Sequence, residues 1–114
     1  MDERPTERKL VAILSADVEG YSRLMGNDEL ATVRAITESR ELIASAVTRH
    51  GGRVVDAPGD NVLAEFASVV DAVQCAVGIQ RALGSRNADL PPARQMRFRI
   101  GINLGDVIVQ DARL

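Results

Sequence analysis

Two acidic residues stand where an apolar run meets a glycine-bearing turn. Asp17 closes the run Leu10-Val11-Ala12-Ile13-Leu14-Ser15-Ala16 and is followed by Val18-Glu19-Gly20-Tyr21-Ser22. Asp60 follows Ala57-Pro58-Gly59 and leads into Asn61-Val62-Leu63-Ala64-Glu65-Phe66. A carboxylate at the end of a buried strand is costly unless a partner, hydrogen bonds or a metal offsets its lost hydration. Two such groups brought together repel unless a cation sits between them. Mg²⁺ suits that place, because it takes one or two carboxylates and keeps its other positions for water and phosphate. A site for processing nucleotides follows in outline. Each acid also has a plainer reading, since Asp is a common turn former and Pro-Gly-Asp is an ordinary turn sequence. The pairing of the two separates these readings.

Other candidates carry less chemistry. Asp106, after Gly105, reads as a hairpin residue. His50 falls in the last turn of a helix, where a cation suits the helix dipole. No second His or Cys stands at metal-ligand spacing, so zinc has no support. The single cysteine, Cys75, lies in Val73-Gln74-Cys75-Ala76-Val77 and reads as helix packing. One cysteine forbids an internal disulfide and fits a reducing compartment.

The 114 residues suit one small domain with a modest core. Phe66, Phe98 and Tyr21 are all the aromatics, so Val, Ile, Leu and Ala must fill that core. With a net charge of -2 and no basic block interleaved with aromatics, nucleic acid is not an expected partner. No segment is long enough to span a bilayer. The start, residues 1–9, is charged, lacks the apolar stretch of a signal peptide and reads as a flexible tail. The chain reads as cytoplasmic, with residues 10–114 as the folded part.

The elements that must hold the two acids read as follows. Residues 10–17 predict a buried strand. Asn27-Asp28-Glu29 starts a helix, with Asn27 as N-cap. Leu30, Val33, Ile36, Ile43 and Val47 repeat along its face with Arg40 on the flank, and His50-Gly51-Gly52 ends it. Arg53–Asp56 and Val62–Phe66 form a hairpin around Pro58-Gly59. Ser68-Val69-Val70-Asp71 is a capping-box variant. Its helix carries Val69, Val73, Ala76, Val77 and Leu83 on one face and frays into Gly84-Ser85-Arg86-Asn87. Beyond the Pro91-Pro92 connector, Arg97–Leu104 alternates at period two, with Phe98, Ile100 and Ile102 on one face. Gly105-Asp106 then turns the chain into a last strand, residues 107–110. This order predicts an α+β fold, a ferredoxin-like antiparallel-rich sheet with helices on one face. Its first and third strands would lie side by side and bring Asp17 to Asp60.

Three blocks carry a family likeness: Ala12 to Ser22; Gly51-Gly52-Arg53-Val54-Val55 leading into Pro58 to Phe66; and Phe98-Arg99-Ile100-Gly101-Ile102-Asn103-Leu104-Gly105-Asp106-Val107. Together they resemble the class III adenylate/guanylate cyclase catalytic domain, closest to the proteobacterial soluble type. The likeness covers nearly everything after residue 9, in the family's order and spacing. It implies a homodimer with active sites at the subunit interface. There ATP, or less readily GTP, is cyclised to the 3′,5′-monophosphate with release of pyrophosphate. It implies two Mg²⁺ or Mn²⁺ ions held by Asp17, Asp60 and the Val18 carbonyl. It also implies that the backbone of Glu19, Gly20, Tyr21 and Ser22 wraps the triphosphate. The ribose 3′-oxygen attacks the α-phosphorus, with positioning and electrostatics supplying the rest.

The chain departs from the family pattern in three places. Family members continue beyond the last strand into a segment bearing an Asn and an Arg that stabilise the transition state. These 114 residues contain no such segment, so the polypeptide alone is expected to be a very weak cyclase or none. Asp56 stands where many adenylate cyclases hold a purine-reading Lys. Arg113 aligns by spacing with the partner position, an acid in the adenylate type. Either base selection has drifted, or the two charges are exchanged and still grip a purine. A degenerate cyclase-like module that dimerises without turnover is the alternative function. A cyclase of cyclic dinucleotides fits poorly, because Gly51-Gly52 is followed by Arg53 and Val54 rather than by acids. A sheet with an open edge seeks a partner strand, which also favours a dimer or a higher oligomer.

Overall fold

The computed structural model describes residues 7–109. Strand β1 (Glu7–Val18) runs through the middle of a four-stranded antiparallel sheet. Its residues Ala12, Leu14, Ala16 and Val18 alternate onto one face and are all buried. Ile13, Ser15 and Asp17 point the other way and are only partly covered. Strand β1 starts at Glu7, earlier than its apolar run, because β4 (Phe98–Val109) pairs with it from Glu7↔Val109 to Val18↔Phe98. The backbone ladder, indifferent to side-chain polarity, extends the strand there.

That pairing also corrects the expected final hairpin. Gly105 and Asp106 make no turn; they sit inside β4 opposite Val11 and Leu10. Phe98 is buried and Ile100 and Ile102 pack on the core, as the alternation required. On the other side of β1 lies β3 (Val62–Phe66), registered from Ala12↔Phe66 to Ala16↔Val62. Outside it is β2 (Arg53–Asp56), giving the order β2-β3-β1-β4. This is the α+β, ferredoxin-like arrangement, with β1 and β3 adjacent.

A short helix, α1 (Tyr21–Asn27), precedes the long α2 (Glu29–Arg49). The cap of α2 is Asp28, whose Oδ1 accepts from Ala31 N at 3.0 Å; Asn27 instead ends α1. The helix closes in a Schellman motif, with Gly51 N on Thr48 O (3.1 Å), Gly52 N on Val47 O (2.9 Å) and Gly51 at φ +77°. Gly52 is needed for a different reason. A Cβ there would stand 2.4 Å from the Phe66 ring.

Both long helices bury different stripes from those their largest apolar residues suggest. On α2 the buried residues are Thr32, Ile36, Ser39, Ile43, Ala46 and Val47, while Leu30 and Val33 are exposed. The buried hydroxyls are satisfied: Thr32 Oγ1 donates to Leu24 O at 2.8 Å, and Ser39 Oγ accepts from Arg86 at 3.4 Å. On α3 (Val69–Ala88) the buried face is Ala72, Cys75, Ile79, Leu83 and Asn87. Val69, Val73 and Val77 are exposed, Ala76 is partly buried, and only Leu83 of the expected stripe is fully inside. Small residues let α3 lie close on the sheet, which the valines would prevent. The Ser68 cap is present, with Oγ accepting from Asp71 N at 3.3 Å. The helix does not fray at Gly84. It continues to Ala88 because buried Asn87 grips Met96, donating to its carbonyl (2.9 Å) and accepting from its N–H (3.0 Å). A single 3₁₀ turn, Pro92–Arg94, follows.

Candidate active site

Asp17 is the next-to-last residue of β1 and faces Arg99 of β4 directly across the ladder. Arg99 Nη2 donates to Asp17 Oδ2 at 2.7 Å. The pair is partly open, with the Asp17 side chain 34% and that of Arg99 66% exposed. The hydrogen bond it donates to Asp17, then the charge of Asp17, then those of Glu19 and Asp60 hold the guanidinium above its ordinary pKa. The guanidinium is thus bonded to Asp17 and feels the negative charge of Glu19 and Asp60. Arg99 was not singled out in the sequence. Its alternating strand showed which face it shares, but only the β1–β4 register places it on Asp17.

Asp60 reaches the same end of the sheet from β3. Ala16 pairs with Val62, so the chain enters β3 beside the end of β1, and Asp60 lies two residues before Val62. Its turn is closed by Asn61 N on Pro58 O at 2.9 Å, with Gly59 supplying φ +58°. An L-residue other than glycine rarely adopts that φ. The two aspartates expected to pair thus sit at the ends of adjacent strands. The other candidate ligand, Val18, has a buried side chain, and the next residue's N–H, on Glu19, donates to Arg97 O at 2.8 Å.

Glu19 and Gly20 form the exposed turn into α1, and Tyr21 and Ser22, also exposed, open the helix. Gly20 is the N-cap at φ 69°, and no side chain caps this helix. Asp56 is exposed on edge strand β2, where its Oδ1 accepts from Ala57 N at 2.9 Å. Strand β3 separates it from β1, so it does not join the Asp17–Arg99 pair. Arg113 lies outside the described residues. His50 is structural: its Nδ1 meets Ala46 O at 2.8 Å. Cys75 is fully buried, and that burial raises its thiol pKa, with Arg49 opposing.

Among the described residues no three His, Cys, Asp or Glu side chains converge as a metal cluster. The donor set here is smaller and of another kind: two carboxylates with a backbone carbonyl nearby, all hard oxygen donors. That fits an ion such as Mg²⁺ or Mn²⁺ that keeps room for water and phosphate oxygens. The guanidinium on Asp17 shows that the place favours positive charge. No helix among the described residues is long and apolar enough to cross a membrane.

The fold is that of a nucleotide cyclase domain. No family model matches the chain. It is 44% identical over 115 residues to "Putative adenylate cyclase 3" of Rhizobium meliloti (strain 1021), a match spanning 100% of this chain and 20% of that protein. Among solved structures, it matches an adenylate/guanylate cyclase/hydrolase from Silicibacter pomeroyi at 42% identity with TM-score 0.80, over 94% of this chain and 63% of that one. The guanylyl cyclase Cya2 shares the fold at 24% identity with TM-score 0.77, over 96% of this chain and 62% of that one. Likeness of sequence along the whole chain and of fold to solved cyclases agree: the chain is similar to class III adenylate/guanylate cyclase domains. It spans a fifth of the curated relative's length and under two thirds of the Silicibacter chain.

Proposed function

We propose that these residues form the metal- and triphosphate-holding part of a class III cyclase that converts ATP, or GTP, to its 3′,5′-cyclic monophosphate in signal transduction. The observation that supports this most is the placing of Asp17 and the Asp60 turn at the same end of adjacent strands β1 and β3, with the Arg99 guanidinium on Asp17. In the reaction the ribose 3′-oxygen bonds to the α-phosphorus, the bond from that phosphorus to pyrophosphate breaks, and the 3′-hydroxyl proton leaves to solvent. Asp17, Asp60 and the Val18 carbonyl would hold two Mg²⁺ or Mn²⁺ ions. Bound there, the ions neutralise phosphate charge and acidify the attacking hydroxyl.

The chain's own groups do the positioning. With an ion held by Asp17, Arg99 would be free to offer its planar N–H fork to phosphate oxygens. Gly20, Tyr21 and Ser22, at the side-chain-uncapped start of α1, offer backbone amides to the same charge. Asp56 and Arg113 are the candidate purine readers. The sheet face opposite the helices is the surface for a second copy in a homodimer, and the cytoplasm is the compartment. A second reading, a cyclase-like module that binds nucleotide without turnover, is favoured by the exposed Asp56, an acid where a purine-reading ammonium would be expected.

A cyclase assay with Mn²⁺-ATP and Mn²⁺-GTP, products identified by mass, tests the proposal. Cyclic product that vanishes in Asp17→Ala supports turnover. Asp17-dependent Mn²⁺ and nucleotide binding without product supports the module. Mn²⁺ binding indifferent to both Asp17→Ala and Asp60→Ala refutes both.

A further inference from the structure

Among the described residues, one hydrogen bond ties the Asp60 turn to the helix layer. Arg40 reaches from α2, and its Nη2 donates to the Ala57 carbonyl at 3.1 Å. The other hydrogen bonds of residues 57–61 are local, from Ala57 N to Asp56 Oδ1 and from Asn61 N to Pro58 O. The sheet gives this segment little guidance, because the β2–β3 register slips between Val54 and Asp56. Arg40 Nε is buried and has no partner among the described residues. A buried donor left unpaired is a standing cost. An apolar side chain of similar length would pack the same stem without that cost. The guanidinium is therefore poorly explained as packing and well explained as a grip on Ala57.

We propose that Arg40 is a positioning residue for Asp60: it straps the Ala57–Asn61 turn to α2 and so fixes where the Asp60 carboxylate meets its cation. The proposal rests on the reading of Asp60 as a metal ligand. It concerns a side chain that lies on the opposite end of the strap from the ion and touches neither ion nor nucleotide.

The test compares the 114-residue chain with Arg40→Met and Arg40→Lys. One readout is amide exchange at Asn61, whose N–H closes the turn. The other is Mn²⁺ affinity by electron paramagnetic resonance, with Asp60→Asn as control. Loss of one charge-assisted hydrogen bond predicts about tenfold faster Asn61 exchange and about tenfold weaker Mn²⁺ binding in Arg40→Met. Exchange in β1 and α2 stays unchanged, and Arg40→Lys restores most of both effects because an ammonium can also donate to Ala57 O. Unchanged Asn61 exchange in Arg40→Met overturns the strap. Faster exchange with Mn²⁺ affinity unaltered overturns the positioning role. Mn²⁺ binding that ignores Asp60→Asn overturns the metal reading, and the positioning role falls with it. Binding that needs Asp60 but ignores Arg40 overturns the positioning role and leaves the metal reading standing.

Discussion

Gly52→Ala should be among the most damaging single-methyl additions in this chain. The new Cβ would lie 2.4 Å from Phe66 Cε2 and 2.7 Å from both Cδ2 and Cζ. Carbon atoms in contact prefer roughly 3.5–4.0 Å, so three ring atoms would each be about an ångström too close. The ring has nowhere to go. Phe66 is 1% exposed, and its strand is paired on both sides, to β1 and to β2. Over-packing of a tight core costs about 1–3 kcal/mol, and contacts this short belong at the upper end. For a domain of this size about 3 kcal/mol lowers Tm by roughly 10–20 °C. Thermal and urea unfolding followed by circular dichroism would measure it. Removing the ring removes the clash, so in a Phe66→Leu background the same substitution should cost about 2 kcal/mol less. A Gly52→Ala protein within about 0.5 kcal/mol of the parent would refute the reasoning. So would an equal cost in both backgrounds.

Four further outcomes follow from particular contacts. Arg99→Ala should tighten Mn²⁺ binding to the free chain severalfold, since it removes the guanidinium bonded to Asp17, and should weaken triphosphate binding in the presence of Mn²⁺; titration calorimetry reads both. Asn87→Ala should cost about 2–4 kcal/mol in urea unfolding, because it strands the buried N–H and carbonyl of Met96 together. Asp28→Ala should cost about 1 kcal/mol in the same assay and Asn27→Ala close to nothing, since Asp28 holds the cap. Burial raises the Cys75 pKa, so the folded chain keeps its thiol proton where the unfolded chain has lost it. Stability should therefore be full below the unfolded thiol value of about 8.5 and fall as pH rises from there towards the raised folded value. Unfolding measured across that range should show the decline, and Cys75→Ala should flatten it.

Much was legible in the chain itself. Local rules fixed the Schellman end at Gly51-Gly52, the Ser68 cap, the inward Phe98-Ile100-Ile102 face and the two acids, because each depends on neighbours a few residues away. Helix faces were misjudged where hydrophobicity and fit disagree. Val69, Val73 and Val77 outrank Ala72 and Cys75 in hydropathy, yet small residues are what an adjacent sheet admits. Similarly, Thr32 and Ser39 are buried because partners on other elements, Leu24 O and Arg86, satisfy them. Gly105-Asp106 looked like a turn and lies in a strand, since twelve residues of pairing with β1 outweigh a local preference.

The sequence by itself determined which residues could do the chemistry: two aspartates with the right flanking turns, in the order of a known family. Only the tertiary structure decided how they are held. The β1–β3 register brings the Asp60 turn to the end of the sheet that carries Asp17, the β1–β4 register lays Arg99 across Asp17, and α2 sends Arg40 to the Ala57 carbonyl. Each of these joins residues far apart in the chain. Such contacts arise from pairing and packing of whole elements, and no local periodicity records them.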